Sequence, residues 1–175
     1  TQLNLMIIKL KKINKKSISK NYVDWMNNYE ITKYLDQHNK KHTITSVTKY
    51  VEDINKSRSD FLFGIFVRET KKYFHAGNIK LGRINKIHKT GMISLFVGNK
   101  EFHNKNIGSR AISKICKIAR NKGLYKVYAG CHKSNIASQK AFLKNKFFKD
   151  GVQKKHATVG KKREDFIWYG LFLKR

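Results

Sequence analysis

The sequence is short of the residues that mark several protein classes. Its two cysteines, Cys116 and Cys131, are too few for a disulfide framework and lack the paired spacing of a zinc site. We therefore expect free thiols, a cytoplasmic protein and no metal. The longest apolar run, Phe166 to Leu173, has eight residues, whereas a membrane helix needs about 20. Leu5 to Ile8 is too short for the core of a signal peptide, so we expect no membrane span or targeting segment.

Acidic residues are also scarce. The chain has 11 Asp and Glu against 39 Lys and Arg, which gives a formal charge of +28. A charge of this size attracts anions over long distances at low salt. The lysines are scattered along the chain, and the absence of proline with abundant Asn and Ile is typical of an AT-biased coding sequence. The high positive charge could therefore come from compositional bias or from binding to an anionic partner, and nucleic acid is the less favoured partner.

What the sequence does contain is typical of one globular domain. The chain has 175 residues, of which 40% are hydrophobic and 12% aromatic, enough for a hydrophobic core. It shows no repeat, low-complexity linker or break in composition, so we expect a single domain over residues 1–175.

Hydrophobic periodicity predicts the element order βααβββαβαββ, an α/β or α+β fold on a mixed sheet. Three successive strands at 61–68, 78–84 and 92–97 should form an antiparallel meander. The other predicted strands are 4–11, 125–131 and a pair around 159–162. The predicted helices are 18–29, one capped by Thr45, one from Gly108 to near Gly123, and 135–145.

The segment from Phe96 to Arg110, FVGNKEFHNKNIGSR, leads from a strand through a polar loop into an amphipathic helix. Consecutive backbone N–H groups at the positive end of a helix dipole can bind a phosphate or pyrophosphate. A polar loop before a helix is also an ordinary cap, so the residues alone leave both interpretations open.

Within that segment, HNKNIGSRAI resembles the pyrophosphate loop of the GNAT superfamily of N-acyltransferases. The superfamily pattern is Gln or Arg, two residues, Gly, one residue, then Gly or Ala. His103 stands at the Gln/Arg position, Asn106 at the first Gly, and Gly108 is retained. Asn is the non-glycine residue that best tolerates a left-handed backbone, and Lys105 adds a cation beside the same phosphates.

The resemblance extends along nearly the whole chain. GCHKSNIASQKAFLKNKF looks like the superfamily's later strand and helix, where Asn135 matches an Asn that contacts the pantetheine arm. A helix N-cap is the alternative role for Asn135. Two further segments resemble the Rim-type branch of the superfamily: DWMNNYEITKYLDQ its first helices and GKKREDFIWYGL its last hairpin. The branch pattern W-x-N, followed by a β-branched residue and Tyr, is matched by Trp25, Asn27, Ile31 and Tyr34.

This resemblance implies a mixed, mostly antiparallel sheet of six to seven strands, flanked by about four helices and splayed between central strands. Acetyl-CoA would lie in the gap between the strand ending near Val97 and the strand ending near Cys131. Its pantetheine would pair with the first of these strands and its pyrophosphate would bind the loop before the helix. The implied acetyl-CoA contacts are Leu95, Phe96, Val97, His103, Asn104, Lys105, Asn106, Ile107, Gly108, Ser109 and Asn135.

The catalytic groups are less well defined by the sequence. An ammonium must lose its proton before the amine attacks the thioester, and the usual helper is a Glu or Asp near the central strands. The segment from Met92 to Gly98 has neither. The candidates for the general base are His88, Glu101 and His132. Each of them could instead be an ordinary surface residue. Phe142 stands where the superfamily has a Tyr taken to protonate the thiolate, so we expect water or the amine's own proton to serve.

Three functions remain open, two with different acceptors and one without catalysis. The first is a primary amine on a small anionic molecule, such as a nucleotide-linked amino sugar; the second is the N-terminal α-amino group of a protein; the third is non-catalytic binding of nucleotides or nucleic acid. Polyamines fit poorly because a polycation needs an acidic pocket. The sequence leaves a monomer and a homodimer open. The lysines and histidines expected on the acceptor side are Lys33, His38, Lys40, Lys41, His42, Lys154, Lys155, His156, Lys161 and Lys162.

Overall fold

The computed structural model of the protein describes residues 6–36 and 39–174. The strands are β1 (Ile7–Lys12), β2 (Phe61–Arg68), β3 (Tyr73–Asn85), β4 (Thr90–Val97), β5 (Lys126–His132), β6 (Phe148–Val159) and β7 (Lys162–Phe172). The α-helices are α1 (Lys20–Met26), α2 (Tyr29–Thr32), α3 (Ile44–Lys56), α4 (Ile107–Asn121) and α5 (Ile136–Lys144), with short 3-10 helices at Lys15–Ser17 and Lys100–Phe102. No helix in this part of the chain is both long and apolar enough to cross a membrane.

The seven strands form one sheet in the order β1-β2-β3-β4-β5-β7-β6. All neighbours are antiparallel except β4 and β5. The predicted fold class, a mixed and mostly antiparallel sheet with flanking helices, is confirmed.

The parallel pair β4–β5 is short. Its register consists of Thr90↔Lys126, Gly91↔Val127 and Met92↔Tyr128. Beyond these residues each strand continues to pair with its outer neighbour, β4 with β3 and β5 with β7. The two central strands therefore separate, which gives the splayed sheet that the resemblance implied.

Several predicted boundaries need correction. The prediction of one helix over 18–29 is wrong, because the chain leaves the helix at Asn27 and Asn28 caps a new helix, its Oδ1 accepting from the Glu30 N–H at 3.0 Å. Thr43, and not Thr45, caps α3; it accepts from the Ser46 N–H at 3.1 Å in a reciprocal capping box.

The strands also differ from their predicted lengths. β3 begins five residues before the predicted start. The last hairpin runs from Phe148 to Phe172 and turns between Val159 and Lys162, where the strand pair was predicted. Register shifts interrupt the β6–β7 pairing and break its alternating pattern. The first two residues of the predicted strand 4–11 lie outside the described residues.

The core has two parts, one on each face of the sheet. On one face α4 packs its buried residues against strands β1 to β5, and Phe142 of α5 joins the same cluster. On the other face α1 and α3 cover a smaller cluster that includes Tyr22, Val51 and Leu62. This second cluster contains no described residue of β5, β6 or β7, so helices cover that face only in part.

β3 and β4 approach closely at Gly77. A Cβ atom at this position would overlap the backbone carbonyl of Phe96 and lie 2.8 Å from Cα of Val97. Neither neighbour is the movable end of a side chain, so only glycine fits without a shift of β4.

We expect Gly77→Ala to lower the free energy of unfolding by about 1–3 kcal/mol, as overpacking does. Gly151→Ala is the matched control, since a Cβ at Gly151 meets no atom within 4 Å. Urea unfolding of both variants measures the difference. Equal stability of the two variants would show that β4 moves without strain.

Candidate active site

The separation of β4 and β5 opens onto a cleft of about 920 Å³. Its β4 wall is Met92 to Phe96, and its β5 wall includes Gly130 and His132. The helix-rich N-terminal region contributes Tyr22, Tyr34 and Tyr50, and the β6–β7 hairpin contributes His156, Phe166 and Trp168. The volume and the mixture of rings and charged groups suit a small-molecule site.

The loop between β4 and α4 has the backbone of an anion site. Asn104 and Asn106 have φ of 58° and 61°, the left-handed conformation that Asn tolerates. Asn106 precedes α4 directly, and its side chain makes no capping hydrogen bond. Because the first N–H groups of a helix have no intrahelical partner, the start of α4 can donate to an anion.

Gly108 lies in the first turn of α4, and its lack of a side chain leaves room for an anion to approach the backbone N–H groups. A Cβ atom there would meet Leu95 Cδ1 at 3.5 Å, an ordinary contact. The fold itself therefore tolerates a side chain at this position. Ile107 and Ser109 on either side are buried.

Two predicted phosphate contacts are engaged with protein groups. The His103 ring nitrogen Nε2 lies 2.8 Å from the carbonyl oxygen of Val97 and donates to it. Lys105 Nζ lies 3.3 Å from Glu69 Oε1 in a half-exposed pair. The Val97 carbonyl is one of the groups expected to pair with pantetheine, and a carbonyl oxygen can accept a second hydrogen bond.

Helix α5 follows β5 in the chain and packs against α4. Asn135 caps it, its Oδ1 accepting from the Ser138 N–H at 3.2 Å. Phe142 is 1% exposed, with its ring 5.0 Å from the Phe147 ring, so it is a packing residue. Ser138 lies one turn before Phe142 on the same face of the helix.

Asn145, at the end of α5, is a contact that the sequence did not indicate. Its Nδ2 donates to the backbone oxygen and the hydroxyl of Ser109, both at 2.9 Å. It thereby ties α5 to the first turn of α4. No local pattern connects residues 36 positions apart.

The three candidate bases occupy different places. His88 is exposed in the β3–β4 turn, beside Ile87 and Tyr125, at the end of β4 away from the cleft. Glu101 is exposed in a short 3-10 helix and does not line the cleft. His132 is 8% exposed and lines it.

His132 belongs to a polar network that reaches across the strands. Its Nδ1 lies 3.0 Å from Glu164 Oε1, and Glu164 also accepts from the Ser134 N–H at 3.2 Å and the Ser134 hydroxyl at 2.9 Å. The Tyr34 hydroxyl lies 3.2 Å from that of Ser134. A carboxylate at one ring nitrogen fixes the tautomer and leaves Nε2 for chemistry.

The floor of the cleft holds a second polar group. Asn78 is 2% exposed, and its Oδ1 accepts from His75 Nε2 at 2.8 Å, while its Nδ2 has no hydrogen-bond partner among the described residues. Burial raises the pKa of the neighbouring Tyr22, which therefore stays protonated. The floor thus offers neutral donors.

Cations dominate the charged lining of the cleft. Of the lysines and histidines predicted on the acceptor side, Lys33, Lys40, Lys41, His42 and His156 line it, and Lys80 and Arg83 of β3 join them. Asp36 is the one acidic residue among the described lining residues. Lys154, Lys155, Lys161 and Lys162 do not line the cleft, and His38 lies outside the described residues.

Comparison with known proteins agrees with this geometry. The family model of the acetyltransferase (GNAT) domain matches residues 8–147. Glucosamine 6-phosphate N-acetyltransferase 1 of Dictyostelium discoideum is 31% identical over 111 residues, which cover 60% of this chain and 69% of that protein.

Solved structures show the same fold at lower identity. RimL, a ribosomal L7/L12 alpha-N-protein acetyltransferase solved with coenzyme A, has a TM-score of 0.83 at 16% identity and covers 95% of this chain and 94% of its own. The self-immunity acetyltransferase MccE, solved with acetyl-CoA and AMP, has a TM-score of 0.78 at 20% identity, covering 94% and 92%. Spermidine N-acetyltransferase of Vibrio cholerae has a TM-score of 0.78 at 12% identity, covering 97% and 96%.

The family model spans most of the chain, including β4, the loop before α4 and α5. The splayed sheet is the one that the family resemblance implied. The chain belongs to the GNAT family of acetyltransferases, and it is an N-acetyltransferase.

Proposed function

We propose that the protein transfers the acetyl group of acetyl-CoA directly to the primary amine of a small anionic molecule, an amino sugar that carries phosphate or a nucleotide. The observation that carries this proposal is the cationic cleft at the opening between β4 and β5. The amino-sugar phosphate named for the Dictyostelium relative is an acceptor of this class. An anion gains from this lining, whereas a polyamine meets repulsion.

Acetyl-CoA binding is assigned to the β4–α4 region as the sequence predicted. The pyrophosphate would accept from the first N–H groups of α4, and pantetheine would pair with the backbone of Leu95 to Val97 where β4 leaves β5. The left-handed residues Asn104 and Asn106 support this assignment because they turn the loop into the helix without a side-chain cap.

Direct transfer is favoured over a relay through cysteine. Cys131 is buried in β5, and burial raises the pKa of its thiol to about 11. Only the thiolate is a good nucleophile, so this thiol stays unreactive at neutral pH. Both cysteines are unpaired, which supports the proposed location in a reducing cytoplasm.

We assign the general base to His132. Glu164 holds Nδ1, so Nε2 can take a proton from the ammonium, directly or through water, and the neutral amine then attacks the thioester. His88 and Glu101 lie outside the cleft lining and are less suited. The CoA thiolate is expected to take its proton from water or from the amine, since Phe142 has none to give.

We expect Gly108→Val to weaken acetyl-CoA binding about tenfold or more, because the added side chain blocks the approach of phosphate to the backbone. Titration calorimetry measures the affinity. Gly151→Val is the control, since open space surrounds that glycine. An unchanged affinity in Gly108→Val would place the pyrophosphate elsewhere.

Loss of the base should slow the chemical step. We expect His132→Gln to lower kcat about 10²-fold with acetyl-CoA affinity unchanged, because general-base catalysis contributes about that factor. His88→Gln is the matched control and should keep the kcat of the unmodified protein. The reverse result, a slow His88 variant and a normal His132 variant, would move the base to the β3–β4 turn.

The acceptor class is tested by thiol release with matched amines. We expect glucosamine 6-phosphate or a nucleotide-linked amino sugar to have a higher kcat/KM than glucosamine, spermidine or a short peptide, and KM to rise with salt because the attraction is screened. Preference for spermidine would overturn the anionic acceptor. Preference for a peptide N-terminus would instead favour N-terminal protein acetylation, and both results would leave acetyl transfer standing.

A further inference from the structure

A continuous row of rings crosses the β5–β7 side of the cleft. Neighbouring centroids are 5.9 Å apart for Tyr128 and Trp168, 5.2 Å for Trp168 and Phe166, 5.5 Å for Phe166 and His132, and 5.2 Å for His132 and Tyr34. These separations are typical of interacting aromatic rings. We call these residues and His156, whose ring lies 6.0 Å from that of Phe166, the aromatic strip.

The strip is open to the cleft because helices leave this part of the face uncovered. Phe166, Trp168 and His156 are each only partly buried or exposed, and all three line the cleft. The helix-covered cluster on this face contains no described residue from β5 to β7. An aromatic row that packs against no helix is an available surface for a planar ligand.

Two features hold the rings in place. A Cβ atom at Gly130 would overlap the Phe166 ring and lie 3.1 Å from Trp168 Cζ3, so glycine here lets both rings lie over β5. Trp168 Nε1 donates to Gln153 Oε1 at 3.0 Å, which fixes the indole. The surface is therefore formed before a ligand arrives, which lowers the cost of binding.

Cations lie along the same cleft. Lys33 Nζ is 5.6 Å from the centroid of the Tyr34 ring, at the end of the strip, and Lys40 and Lys41 follow on the same lining. Lys80 and Arg83 contribute from β3. Rings that stack a base beside cations that hold phosphate are the combination that recognises a nucleotide.

We propose that the aromatic strip is a nucleobase-binding surface, and that the acceptor is a nucleotide-linked amino sugar. The base stacks at Phe166, Trp168 and His156, the phosphates meet the cations, and the amine reaches His132. This inference rests on the proposed function and narrows its acceptor, because a sugar phosphate without a base has no ring to place on the strip.

The two tryptophans of the chain, Trp25 and Trp168, allow a direct measurement. In a Trp25→Phe background, the remaining fluorescence comes from Trp168. With the acetyl-CoA site saturated by CoA, UMP should quench this signal in a saturable titration, because a stacked base changes the surroundings of the indole. Ribose 5-phosphate and inorganic phosphate carry the charge without the base, and should quench at least fivefold more weakly at equal concentration.

Variants separate stacking from charge. Trp168→Leu should weaken UMP binding, measured by calorimetry with CoA present, at least fivefold, and should weaken inhibition by UMP of glucosamine 6-phosphate acetylation by a similar factor. Phe166→Leu is the second variant if Trp168→Leu unfolds. Phe172→Leu is the control: its ring stacks on Phe148 outside the cleft lining, 5.3 Å away, and its loss should leave UMP binding unchanged.

The proposal is overturned if UMP shows no saturable quenching, if ribose 5-phosphate quenches as strongly, or if Phe172→Leu weakens binding as much as Trp168→Leu. Tighter binding of a single-stranded RNA than of UMP would also overturn it, in favour of a nucleic-acid partner. Acetylation of glucosamine 6-phosphate without nucleotide binding removes this inference and keeps the proposed function. Nucleotide binding without acetyl transfer to any amine would overturn the proposed function and leave the nucleotide-binding surface standing.

Discussion

The site depends on how β4 and β5 share their hydrogen bonds. The two strands pair at three positions and then part, while each remains bonded along its other edge, β4 to β3 and β5 to β7. Backbone groups facing the opening need partners, and in this structure His103 supplies one of them at Val97. The cleft, the loop before α4 and the placement of His132 all follow from that one separation.

The few acidic residues have structural positions. Glu164 holds His132 and Ser134, Asp165 lies near Lys133 and Lys154, and Glu69 pairs with Lys105. None of these carboxylates lines the cleft, where Lys40, Lys41, Lys80 and Arg83 share the described lining with one acidic residue, Asp36. The shortage of acidic residues therefore makes the cleft lining mostly basic, whether or not that shortage began as a bias in composition.

Local patterns predicted a large part of the fold. The bounds of β2 were predicted correctly, and the apolar spacing after Gly108 placed α4, because both elements bury one regular face. The turn of the β6–β7 hairpin was predicted, but the ends of its two strands were not, because bulges break the alternation of buried and exposed residues. A single domain over the whole chain stays a prediction.

The site was predictable only where the resemblance supplied it. The loop from His103 to Ser109 has a sequence pattern, but the pairing of His132 with Glu164 joins residues 32 positions apart. The contact forms only when β5 and β7 pair, and no spacing of residues in the sequence predicts it. The aromatic strip is similarly hidden, since Phe166 and Trp168 alternate with buried Ile167 and Tyr169 as they would in any strand.

Gly130 gives the strip a consequence for comparison among acetyltransferases. Any side chain at this position would displace the Phe166 ring, so residue 130 and the ring facing it can change only together. Related chains that keep both the glycine and the two rings should share the shape of this wall. Chains that carry a bulky residue at this position must have a differently shaped wall, so under the proposed role of the strip the two positions would change together with the acceptor.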